Sequence, residues 1–125
     1  MEKLNTIQKF EKLNEIFAVD DKGPGGANHK YIITKKECDD KNEKDKIVAE
    51  IQLQCGPRKE NDSKHGVIDS DLLEIVRHRM QSFQAGAFSS EYNAKALEHI
   101  ELALMYLNRR VEDRIERDVL GKNIK

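Results

Sequence analysis

Residues 69–118 constrain the architecture more than any other part of the chain. The stretch "DSDLLEIVRHRMQSFQAG" spaces Leu72, Val76, Met80 and Phe83 along one helical stripe, and Gly86 ends it. Asp71, three residues before Glu74, reads as a capping-box start. After "AFSS", with Ser89 or Ser90 as N-cap, a second and longer helix runs from about Glu91 to Asp118. Two helical periods divided by a turn this tight leave one solution, an antiparallel helical hairpin.

The long helix carries more apolar surface than one partner can cover. Leu97, Ile100, Leu104, Leu107 and Val111 keep a 3-4 spacing, and the next position in that register is Arg114. Leu102, Met105 and Tyr106 put apolar surface on another side. Composition adds to this: 38% of the residues are apolar, 36% are charged, and Trp is absent. Such a chain gains stability by burying its helices in an oligomer. The hairpin is therefore expected to mediate self-association.

The first half reads differently. Leu4, Ile7, Phe10, Leu13 and Phe17 recur every three or four residues and predict a short N-terminal helix. "DDKGPGGAN" (Asp20 to Asn28) is a loop, because its Pro and three Gly cannot continue a helix. "KYIITKK" reads as a strand, "DDKNEKD" as a charged turn and "KIVAEIQLQC" as a second strand. In that second strand Ile47, Ala49, Ile51 and Leu53 would share one face. "GPRKENDSKHG" is another loop. The expected fold class is α+β in a single domain over 1–125. An N-terminal helix and small antiparallel sheet occupy 1–68, and the C-terminal hairpin occupies 69–121.

Charge and motifs exclude several functions. A net charge of −1 is not that of a non-specific nucleic-acid binder, and no run approaches a membrane span. "MEKLNTIQKF" is no signal peptide, so the chain reads as cytosolic, with Cys38 and Cys55 as free thiols. Cys38, Cys55, His29 and His65 have no zinc-type spacing, and "GPGG" lacks the GK[ST] of a P-loop. No serine or cysteine has an evident base partner. The expectation is a binding protein with no catalytic residues, no metal and no cofactor.

Where it binds is suggested by "NRRVEDRIER", which holds four of the seven arginines. Arg110 and Arg114 are one turn apart, an unfavourable pair unless an anion lies between them. The alternative is that these cations meet the carbonyl end of the helix dipole. At the other end of the hairpin, Phe83 and Asn93 flank the turn. An aromatic face and an amide there suit a base and a ribose, although Phe83 also fits a core position and Asn93 a surface amide.

The stretch from Ile51 to Gly121, above all "SFQAG", "NAKALEHIELALMYLNRR" and "DRIER", resembles the hairpin domain of phage anti-defence sponges. These are the Thoeris inhibitors that capture cyclic ADP-ribose isomers, and the anti-CBASS sponges for cyclic oligonucleotides share a similar hairpin. The resemblance implies sequestration, without catalysis, of the small-molecule messenger made by bacterial TIR enzymes in the host cytosol. It implies dimers that assemble into hexamers, with pockets between subunits. Phe83 would stack on adenine and Asn93 would hold a ribose. Arg58, with Arg110 or Arg114, would meet the pyrophosphate, and His29 stands where another basic contact is expected. In dual-binding relatives the pair matching Arg110 and Arg114 lines a separate site for cyclic di- or trinucleotides. Two rivals remain: a small nucleic-acid-binding protein using the arginine-rich helix end, and a hydrolase that degrades the messenger.

Overall fold

The computed structural model describes residues 1–36 and 46–122. Cys38 and the charged turn 39–45 lie outside the described residues. The chain divides into two compact units, Met1–Gly66 and Val67–Lys125.

The first unit is a four-stranded antiparallel sheet in the order β1 (Glu2–Lys3), β2 (Asn14–Ala18), β3 (Lys30–Lys35) and β4 (Ile47–Gln52). β2 and β3 pair over five positions, from Asn14 with Lys35 to Ala18 with Tyr31. β4 adds to β3 with a register shift at Ile33/Thr34. There the alternation expected for β4 breaks: Ile47 and Val48 are both exposed, whereas Ala49 and Ile51 are half-buried. Within the glycine-rich loop between β2 and β3, Pro24–Gly26 forms one 3-10 turn.

The predicted N-terminal helix is absent, and two strands joined by residues 4–13 take its place. A helix would need its apolar stripe covered, yet Ile7, Phe10 and Leu13 are almost fully exposed. Local polar groups also favour another path. Thr6 Oγ1 donates to the Gln8 carbonyl and Gln8 Nε2 to the Phe10 carbonyl, both competing with helical bonds. Asn14–Ala18 then gains a backbone ladder on both sides, from β1 and from β3. Pairing across the sheet outweighs a short and marginal helical period.

The second unit is the expected hairpin of α1 (Asp69–Gln84) and α2 (Glu91–Glu116). α1 begins two residues before the predicted cap. Ile68 is the N-cap, and its N–H donates to the Asp71 carboxylate at 2.9 Å, while Glu74 pairs instead with Arg77 at 3.4 Å. Ser90 caps α2, accepting from the Asn93 N–H. Leu97, Ile100, Leu104 and Leu107 are half-buried along the predicted seam, and Arg77 joins the helices through a 2.9 Å bond to Glu101. Hydrogen bonds to Glu101 and then Glu74 raise the Arg77 pKa above its ordinary value.

α2 ends in a Schellman arrangement. The Val119 N–H donates to the Arg114 carbonyl and the Asp118 N–H to the Ile115 carbonyl, with Asp118 left-handed at φ 56°. Among the described residues only Ala18, Thr34 and Arg114 are buried, and no large side chain completely so. The hairpin therefore buries no apolar side chain completely. Leu102, Met105 and Tyr106 stay open to solvent.

Candidate functional site

The hairpin tip is built by its own hydrogen bonds. Gly86 N–H donates to the Phe83 carbonyl at 3.2 Å, and the Ser90 N–H donates to Gln84 Oε1 at 2.9 Å. Asn93 Nδ2 donates to the Phe88 carbonyl at 3.3 Å, so the amide is oriented, and among the described residues no donor reaches its Oδ1. Phe83 lies one turn from Arg79, whose guanidinium stands over the ring 5.4 Å from its centroid. The ring is 37% exposed, which is more open than core packing gives. The tip thus presents an aromatic face, an amide oxygen and a neighbouring cation. Phe88 and Tyr92, 82% and 88% exposed, flank it. Sequence reading passed over these two and Arg79. For Arg79 the available signal was its i, i+4 relation to Phe83.

The far end of α2 is different. Arg110 has no polar partner among the described residues and lines a cleft of about 320 Å³ between the helices. Leu104, Leu107 and Val111 floor that cleft, while Asp69 and Glu74 bring two carboxylates to it. Alone, Arg110 does not make the cleft attractive to an anion. Arg114 is 8% exposed, and its NH2 donates to the Val119 carbonyl at 3.0 Å and the Lys122 carbonyl at 2.9 Å. These bonds hold the segment after the helix, so Arg114 meets carbonyls beyond the helix end.

Distance separates the two ends. Asn93 and Arg110 are seventeen residues apart on one continuous helix, about 25 Å at 1.5 Å per residue. No single small ligand reaches both on one hairpin. Phe83 and Asn93 both lie beside the hairpin turn, at the end of α1 and the start of α2, and Arg110 and Arg114 lie apart from them.

Arg58 and His29 belong to the sheet unit. Arg58 donates from Nε and NH2 to Gln54 Oε1 (3.1 and 2.9 Å) and from NH2 to the Gly66 carbonyl (2.9 Å), tying the loop Gly56–Gly66 back on its base. At Gly66 an added Cβ would lie 2.3 Å from the Gln52 carbonyl oxygen, so the loop closes on the strand only with glycine there. The His29 N–H donates to the Asp20 carboxylate at 2.9 Å, and Nδ1 of its ring is buried with no partner. Burial alone would raise the Asp20 pKa, but backbone bonds from His29 and Lys30 outweigh it and hold it below its usual value.

Among the described residues no group of three or more His, Cys, Asp or Glu could hold a metal ion, and no helix is long and apolar enough to cross a membrane. What the geometry defines is an α+β protein built on an antiparallel helical hairpin with polar and aromatic groups at its tip. Residues 45–112 match the family model described as the Acb2/Tad1 hairpin domain, and the chain belongs to that family. Thoeris anti-defense 1 of Bacillus phage SBSphiJ7 is 38% identical over 78 residues, which are 62% of this chain and 54% of that protein. The chain thus spans about half the length of the curated relative it matches.

Proposed function

We propose that this protein is a phage anti-defence sponge that sequesters cyclic ADP-ribose-type messengers made by bacterial TIR enzymes, and so inhibits Thoeris immunity in the host cytosol. The observation that carries this reading is the hairpin tip, set within a family whose relative is named for Thoeris anti-defence. Phe83 would stack on the adenine, with Arg79 either sharing the ring or giving way. Asn93 Oδ1, free of donors, would accept from a ribose hydroxyl. Arg58, whose NH1 makes no hydrogen bond among the described residues, and His29, both of the sheet unit, would each offer a contact to a pyrophosphate. The ligand would be held by contacts alone and released intact.

The open face of α2 supports self-association, because Leu102, Met105 and Tyr106, off the seam, stay uncovered. A dimer assembling to a hexamer would bring groups from neighbouring copies to one ligand. The 25 Å spacing along α2 favours a second reading beside the first: Arg110 and Arg114 would serve a separate site for cyclic di- or trinucleotides. For Arg110 to attract a phosphate there, a neighbouring copy must offset Asp69 and Glu74 with its own cations. Arg114 would contribute the nitrogens not bonded to the chain end.

The test is mass spectrometry of small molecules released by heating the protein after incubation with messenger. Intact cyclic ADP-ribose isomer supports the sponge. A linear product would make the protein a hydrolase, and no retained nucleotide would end the proposal. Light scattering giving a mass near 14.4 kDa would remove the shared pockets.

A further inference from the structure

The connection from β1 to β2 holds a feature that the hairpin reading does not use. Residues 4–13 are fixed by their own side chains. Thr6 Oγ1 donates to the Gln8 carbonyl at 2.9 Å, Gln8 Nε2 to the Phe10 carbonyl at 3.0 Å, and Lys9 Nζ to Asn5 Oδ1. Glu11 is held left-handed at φ 56°, a conformation a non-glycine residue keeps only when its surroundings impose it. This segment closes a cleft of about 190 Å³ against the sheet.

Four lysines, Lys3, Lys9, Lys12 and Lys36, line that cleft. Glu15 is the one carboxylate among its lining residues and pairs with Lys3 at 3.4 Å. Lys9 bonds a neutral amide, and the ammonium groups of Lys12 and Lys36 have no hydrogen-bond or ion-pair partner among the described residues. Four lysines thus line one cleft, with a single carboxylate among its described lining residues, in a chain whose net charge is −1. Like charges in one cleft cost stability unless a counter-ion offsets them, and lysine is a compact point-charge partner for phosphate.

We propose that this cleft is a second anion site, taking a phosphate or pyrophosphate group. Its volume, on the order of six waters at about 30 Å³ each, suits the charged group of a ligand and leaves any attached nucleoside outside. The site is lined by residues of the sheet unit alone and shares none with the messenger reading, so its failure would leave that reading untouched.

The experiment is calorimetric titration of the full chain with inorganic pyrophosphate and with ADP at low salt. Both should bind, more weakly as salt rises. The double substitution K12E/K36E should weaken both by about tenfold or more, while Lys95→Gln, an exposed cation on α2 outside every proposed site, leaves them unchanged. Thermal melting must show K12E/K36E folded; if it does not, K12Q/K36Q replaces it with the same expectation. Absence of pyrophosphate and ADP binding overturns the site, as does wild-type affinity in the folded lysine variant. Binding of a 20-base-pair DNA duplex lost on the same substitutions, without pyrophosphate binding, would make the patch a nucleic-acid surface and overturn it equally.

Discussion

The two ends of α2 carry polar groups of opposite character. At the tip, Asn93 and Phe83 are oriented by neutral hydrogen bonds and by Arg79, and each keeps a face or an atom unused. At the far end, Arg114 is engaged with two carbonyls of its own chain, and Arg110 stands unpaired between carboxylates. The tip is organised within one hairpin. The far end is organised for folding, and any ligand role there needs charge from elsewhere.

The largest effect should come from the far end. Arg114→Ala removes a buried cation and leaves two carbonyls unpaired, costing about 2–3 kcal/mol. Hydrogen exchange should open at Val119–Lys122 while the tip stays protected. If stability were unchanged and only nucleotide binding fell, the contrast between the ends would collapse.

Next in size is the tip. Phe83→Ala should cost less than about 2 kcal/mol of stability, below the 3–5 expected of a core aromatic. It should weaken messenger binding by about 1–3 kcal/mol, up to two orders of magnitude in Kd. A well-folded Phe83→Ala protein with wild-type affinity would remove the stacking role. Asn93→Ala should weaken binding in the same direction with little change in melting temperature.

Smaller effects refine the picture. Arg77→Ala breaks the Arg77–Glu101 bridge midway between the ends, and because that arginine is exposed the loss should be small, a slight drop in melting temperature. It should loosen both ends alike; a loss confined to one end would show that they are not joined by a stiff hairpin. Smallest of all, Asp118→Gly should raise stability by about 0.5 kcal/mol, since glycine takes φ 56° without strain. A lower melting temperature would mean that the Asp118 side chain matters more than its backbone.

The hairpin was legible because three signals agreed, the 3-4 spacing from Leu97 to Leu107, Gly86 past the end of α1 and Ser90 at the start of α2, while the Asp71–Glu74 cap misplaced the start of α1 by two residues. The placement of Phe83 and Asn93 at one tip follows from that alone. Leu4 to Phe17 misled because their helical spacing has nothing to pack against, while β2 is fixed by partners that only the folded sheet supplies. Arg114 was legible as a position in the seam, but its partners, Val119 and Lys122, lie beyond the helix in a turn that periodicity does not reveal. The lysine cleft joins Lys3 to Lys36 across a sheet, and no local pattern links residues so far apart in sequence.

The length of α2 also sets a thermodynamic relation. Two ligands held about 25 Å apart on one straight helix share no atoms and displace none of the same water. Without a second conformation of the hairpin to bias, their coupling free energy is near zero. Filling one site would leave the isotherm of the other superimposable, and a mixture of messengers would be taken up as the sum of its parts. Competition between them would then report a joint between copies, since a single rod cannot transmit it.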